Sequence, residues 1–422
     1  MQVAKASSKR TRPPGNAPVF RADCLREILS EPSAPFREAH VINRITATLA
    51  AGGVPFFIDP IGNVVVGAAS AADFKKILKQ KPPQNTNKKS VEPLRLFIAH
   101  MDHPGFHGAN WKSPTELEIL WHGGSPTADL VGAKVWLASR QGWEGEGHFS
   151  SVQLIPGGKA IERGVVKVPA SLSAKFPGLK GAPKIYGGFG FRAPVWDDGR
   201  KIYTKAADDL VGSFAIVSLA LDLLSTRGKK RTAPPSFLGL LTRAEEVGFI
   251  GAIGHFELGW LKAAKRPVIC VSLETSRQLP GAEIGKGPVV RLGDRLNVFD
   301  PGALRVFTDL AQTVMPGKFQ RRVMDGGTCE ATVALTYGMP TIGISVPLGN
   351  YHNQNFEGGP DSSHAPNGPA PEFVHLDDVE GLLALCKALV APKYPWLRPW
   401  EANRLKFRKS LKTYQPLLMS GP

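Results

Sequence analysis

The 422-residue chain is 42% hydrophobic and 21% charged, which is enough apolar material for a large core and too much length for one ordinary domain. No apolar run approaches the ~20 residues of a membrane span, and the basic start lacks the apolar stretch of a secretory signal. Cytoplasm is therefore the expected location, with no membrane partner. The four cysteines (Cys24, Cys270, Cys329 and Cys386) are far apart and form no CxxC, so neither a zinc knuckle nor a disulfide scaffold is expected.

The formal net charge is +16. Residues 1–17 carry +4, residues 74–95 carry +6 and residues 393–412 carry +6, which accounts for all of it. The excess thus sits in two tails and one Pro/Lys/Asn-rich loop instead of on one periodic face. Charge runs of that kind are usually solvated, and no specific nucleic-acid partner is expected.

In chain order, 1–17 reads as a basic flexible tail. Residues 20–49 carry helical periodicity broken at Pro32–Pro35, with Gly52 and Gly53 closing the second helix. Short strands FFIDP and NVVVGA follow, then the Lys-rich loop 74–95, then LRLFIAH (94–100), a continuous apolar run typical of a buried strand. From 103 to 203 the texture changes to short apolar runs separated by Gly and Pro, which predicts a small inserted β-barrel or sandwich. Beyond 204 an α/β texture resumes. Helices are expected over 210–225, 247–264, 303–314 and 379–390, and strands over 237–241, 267–273 and 341–346. Residues 393–422 form a basic C-terminal extension. The fold class is α/β, a helix-covered and largely parallel sheet, built from 18–102 and 204–392 around the insert.

Open α/β sheets bind ligands beyond the carboxyl ends of their strands. LRLFIAH ends in His100-Met101-Asp102, and KAADDLVG places Asp208 and Asp209 before an apolar helix. FLGLLTRA runs into Glu245-Glu246, PVICVSL into Glu274, and TIGISVPLGNY into His352. Each has an ordinary alternative: a core histidine, a helix N-cap for either aspartate, a surface acid, a loop histidine. Five strand-to-loop junctions each delivering an imidazole or carboxylate instead match the needs of two divalent transition-metal ions sharing one carboxylate.

These residues resemble the tetrahedral and glutamyl aminopeptidases, which are dinuclear zinc exopeptidases. The resemblance rests on SAPFREAHV, DPIGNVVVG, AHMDHPGF, DLVGAKVWL, KAADDLVG, TRAEEVGFIGA, EIGKGPVV, GGTCEA, YGMPTIGISVPLGNYH and HLDDVEGL, in the family's order. It implies the zinc-exopeptidase fold and two divalent ions per chain, zinc first, with cobalt or manganese as substitutes. His100, Asp208 and Glu274 then hold one ion, and Asp208, Glu246 and His352 the other, with Asp208 bridging. Asp102 hydrogen-bonds the far nitrogen of His100, and Glu245 moves the proton of the metal-bridging water. The resemblance further implies a peptide substrate and a homo-oligomer built from dimers, with the insert serving self-association and substrate access.

Three positions depart from the family. Glu274 stands where its aminopeptidases usually have Asp and is more like related carboxypeptidases and deacylases. Cys329 replaces an Asp, and Gly349 replaces an Arg. Aminopeptidase action is therefore the first expectation. A metal-dependent deacylase acting on N-acyl amino acids is the second, and a catalytically idle binding protein a distant third.

Overall fold

The computed structural model describes residues 19–80, 92–225, 236–359, 367–392 and 394–420. The expected tail 1–17 lies outside them. Four strands form the parallel centre of an eleven-stranded sheet, in the spatial order Phe237–Thr242, Leu94–His100, Val268–Arg277, Thr341–Gly349. Antiparallel strands extend both edges.

Alternation along Leu94–His100 explains the layering. Leu94, Leu96 and Ile98 face one core, with Phe74 and Phe256. Phe97 and Ala99 face the larger core, with Phe214, Phe307 and Leu382. Both faces are covered, which is why these strands read as continuous apolar runs instead of alternating ones. Helix Leu210–Leu224 is apolar on nearly every side because it is sandwiched between the sheet and helix Leu376–Leu389.

The insert closes into a six-stranded barrel in the order Gly105–Ser113, Glu116–His122, Ile161–Lys167, Gly142–Leu154, Lys134–Ser139, Tyr186–Phe189. It has its own core around Phe106, Trp121, Phe149 and Phe189. Strands Val195–Asp198 and Lys201–Thr204, expected inside the insert 103–203, belong instead to the large sheet, where Lys201–Thr204 pairs with Glu372–His375. That long-range pairing leaves no local sequence mark.

Two further expectations are corrected. The Lys-rich loop 74–95 begins as helix: Ala71–Lys79 is helical, capped by the Ser70 hydroxyl accepting the Asp73 N–H at 3.1 Å. The rest of that loop, 81–91, falls outside the described residues. The helix expected over 247–264 is confined to Ile250–Glu257. Gly248 and Phe249 take positive φ (107° and 64°) before it, and Gly259 (68°) follows its last turn. Beyond the large domain, Glu401–Met419 forms an exposed helix. No helix among the described residues is long and apolar enough to cross a membrane.

Candidate metal centre

The five junction residues converge at the carboxyl end of the parallel strands. His100 is the last residue of its strand and pairs in register with Thr242, three residues before Glu245. The register joining Leu94–His100 to Val268–Arg277, continued by two residues, sets Glu274 level with His100. Asp208 and His352 enter from the flanking loops.

His100 Nδ1 lies 3.1 Å from the main-chain carbonyl of Asp102 and 3.7 Å from its carboxylate. Donation to that carbonyl leaves Nε2 as the free lone pair. Nε2 faces Asp208 Oδ1 at 3.6 Å and Glu245 Oε2 at 3.9 Å. The expected carboxylate–imidazole bond is thus replaced by a carbonyl one. The Asp102 carboxylate is instead occupied by the N–H groups of Glu245 (2.9 Å) and Glu246 (3.1 Å), fixing the turn that carries both glutamates.

Asp208 and Asp209, joined by a cis peptide bond, divide the two roles open to them. Asp209 caps helix Leu210–Leu224 through Gly212 N–H and takes the Thr275 hydroxyl at 2.9 Å. Asp208 turns one oxygen to His100 and the other to His352 Nε2, each at 3.6 Å. His352 Nε2 also lies 3.1 Å from Glu246 Oε2, without the alignment of a hydrogen bond.

Three sets of donor atoms lie within 4.8 Å of one another: His100, Asp208 and Glu274; Asp208, Glu246 and His352; and His100, Glu245 and Glu246. Asp208 Oδ1, Glu246 Oε1, Glu274 Oε1 and His352 Nε2 are buried without a hydrogen-bond partner among the described residues. Buried polar atoms are almost always satisfied, so four orphans spread over these donor groups fit bound cations. Burial pushes the Asp208 carboxyl up to about 7, with His100 opposing and Glu246 adding to the rise. Burial raises Glu274 as well, against the pull of Arg291. Burial also opposes ionisation of Glu246, yet His352 beside it holds that carboxyl below its ordinary range. Carboxylate and imidazole donors in this number suit divalent transition ions.

Two residues of the centre went unread in the sequence. Glu372, fully buried, accepts the N–H groups of Ala207 (2.6 Å) and Asp208 (3.1 Å) with one oxygen and of His352 (2.8 Å) with the other. His103 Nδ1 sits 3.0 Å from the Asp208 carbonyl. The adjacency of His103 to the AHMD run was the available signal; Glu372 had none. The barrel also contributes, since a Cβ at Gly124 would lie 2.1 Å from His352 Nδ1.

A cavity of about 550 Å³ opens over the cluster. Glu245, Glu246 and Glu274 line it, as do Arg277, Arg291 and Arg295. Arg291 Nη1 stands 4.0 Å from Glu274 Oε2, and the Arg277 guanidinium lies over the Phe356 ring at 3.6 Å.

A helix-covered parallel sheet with an inserted barrel, carrying this donor cluster at its strand ends, resembles the metal-dependent exopeptidases, a class of peptide-bond hydrolases. Within that class the chain resembles the M42 glutamyl aminopeptidases, whose family model matches residues 188–356. No curated protein sequence matches the chain.

Among solved structures it is similar to the TET1 peptidase of Pyrococcus horikoshii, described as assembling into a tetrahedron or a large octahedral shell. That match has 19% identity and a TM-score of 0.64, over 88% of this chain and 99% of that one. An aminopeptidase from the archaeon Desulfurococcus kamchatkensis matches at 20% identity and a TM-score of 0.65, over 90% and 97% of the two chains. An M18-family aminopeptidase from Thermotoga maritima matches at 15% and 0.59, over 88% and 96%. At these identities the likeness is one of fold.

Proposed function

We propose that the protein is a dinuclear metal-dependent aminopeptidase that removes N-terminal residues from peptides. The reading is carried by Asp208, whose two oxygens face two different histidines, each group being completed by a glutamate. His100, Asp208 and Glu274 hold one divalent ion, and Asp208, Glu246 and His352 the other, with zinc the first choice for this donor set and cobalt or manganese as substitutes. When bound, such ions would supply Lewis-acid polarisation of the scissile carbonyl and acidification of water. Glu245 acts as the general base and acid. It takes the proton of the attacking water and returns it to the leaving amine.

Burial and the neighbouring carboxylates raise the affinity of Glu245 for a proton, against the opposing pull of His100, and a raised carboxyl is suited to that shuttle. Asp102 holds the Glu245 main chain by its N–H, which limits where the carboxylate can swing. The matched TET peptidase forms large shells, and a dimer-based homo-oligomer using the barrel is the corresponding expectation here. A cytoplasmic location completes the proposal.

One observation favours a second reading, a deacylase acting on N-acyl amino acids. The arginines facing the cavity can take a substrate carboxylate, and Arg291 stands beside Glu274. Metal-loaded protein supplied with a panel of aminoacyl-anilides, acidic and apolar, and with N-acyl amino acids separates the two. Turnover of anilides supports the aminopeptidase; turnover of N-acyl amino acids alone overturns it.

A further inference from the structure

A second cavity, of about 780 Å³, lies between the barrel and the start of helix Ala39–Ala51 and shares no lining residue with the metal cavity. It falls within the range of small-molecule sites. Its walls are basic. Arg243 and Lys175 are engaged by Glu38 (2.8 Å) and Glu144 (2.6 Å), which also hold the Phe36 and Ala244 N–H groups and the Ser139 hydroxyl. Arg37, Arg140 and Lys184 are not so matched. Arg37 donates only to the carbonyls of Phe36 and Pro183, each at 3.2 Å, and Arg140 and Lys184 make no ion pair among the described residues.

Two independent features border the same space. Tyr186 is 98% buried and lines the cavity, yet its hydroxyl has no hydrogen-bond partner. Such a group normally finds one, so a ligand acceptor or donor is its missing complement. Helix Ala39–Ala51 has thirteen residues and no side-chain cap, because Glu38 spends its carboxylate elsewhere. Ala39, its first residue, lines the cavity, so the positive end of the helix dipole faces in.

We propose that this cleft is a binding site for a phosphate-bearing anion, either a nucleotide or an inorganic polyphosphate. Guanidinium forks, an ammonium and the positive end of a helix suit phosphate oxygens better than a lone carboxylate. The exposed ring of Phe36 on the same wall offers apolar surface for a base.

The test is calorimetric titration of the full-length, metal-loaded protein with inorganic tripolyphosphate and with adenosine triphosphate, at low and at moderate salt. Metal content is measured before and after, so that stripping is not read as binding. One site per chain is expected, weakening with salt. Binding should weaken at least tenfold in the double variant Arg140→Glu, Lys184→Glu, whose exposed positions leave the melting temperature unchanged, and several-fold in Tyr186→Phe. His352→Ala should leave it unaltered. Tenfold tighter binding of the nucleotide assigns the site to nucleotides, and equal affinity assigns it to the phosphate chain. No heat with either probe overturns the proposal, as does undiminished affinity in the double variant or loss of binding in His352→Ala.

Discussion

Glu372 holds His352 in place by its main chain: Glu372 Oε1 accepts the His352 N–H at 2.8 Å, while the other oxygen accepts those of Ala207 and Asp208. One buried carboxylate therefore sets the distance between two metal-facing loops. Glu372→Gln turns an amide NH₂ toward at least one of these donors, so one loop must move. Outer partners of ligands typically contribute about 10–100-fold to metal affinity. We expect a loss of that size for the ion between Asp208 and His352, with the other ion less affected, read by metal competition against a chromogenic chelator. Unchanged affinity for both ions would reduce Glu372 to a strand-edge residue.

Glu245→Gln keeps the shape of the side chain and the Asp102 contact, which uses the backbone N–H. It removes the proton acceptor. The expected outcome is a kcat lower by about 10²–10⁴-fold, the usual contribution of a general base, with both ions retained. Retained kcat would exclude the proposed role. Loss of an ion would instead make Glu245 a ligand, a role its 3.9 Å approach to His100 leaves geometrically open.

The barrel reaches the centre through Gly124. A methyl group there would overlap the His352 ring, at 2.1 Å from Nδ1. Gly124→Ala should push the His352 ring aside and weaken retention of the ion assigned to Asp208, Glu246 and His352, while the barrel, to which Gly124 is tied by its carbonyl accepting the Trp121 indole N–H, stays folded. Near-ultraviolet circular dichroism of the barrel tryptophans and metal content, measured on the same sample, check the pair of outcomes.

Lys205 is buried and gives its ammonium hydrogens to the carbonyls of Leu29 and Glu31. Burial pulls its pKa down to about 7, only partly offset by Glu31 and Glu372. An unfolded lysine titrates near ~10.4. Between those values the unfolded chain binds a proton that the folded chain does not, so this group makes stability rise with pH from about 7 to ~10. Lys205→Met should flatten that rise, although it lowers stability overall by leaving two carbonyls unpaired. Urea midpoints at several pH values decide it, and an unchanged slope would show the lysine to be charged throughout.

Much of the candidate metal centre was legible because strand ends advertise themselves. His100, Glu245, Glu246 and Glu274 each follow an apolar run, and parallel strands buried on both faces make such runs. Asp208 was separable from Asp209 only by resemblance; the cap geometry of Asp209 is a tertiary outcome. Glu372 was illegible for a different reason. It opens a four-residue strand after a Gly/Pro-rich segment, and its partners at 201–204 lie far away in sequence. The same nonlocal pairing misplaced 195–203 in the insert. The use of the Asp102 carboxylate was misread because spacing predicts which residues are neighbours without saying which atoms meet. Helix Ala71–Lys79 did carry a signal, Ser70 three residues before Asp73, hidden under the charge run.

The position of Glu372 also sets a timetable. The strand it opens, Glu372–His375, pairs with Lys201–Thr204 and with the end of Thr341–Gly349, so the clamp on His352 closes only after residue 375 has been made. A nascent chain that has already folded its barrel still lacks a closed metal centre. A chain cut just before that strand would keep every candidate donor and lack the carboxylate that ties the Asp208 and His352 loops together.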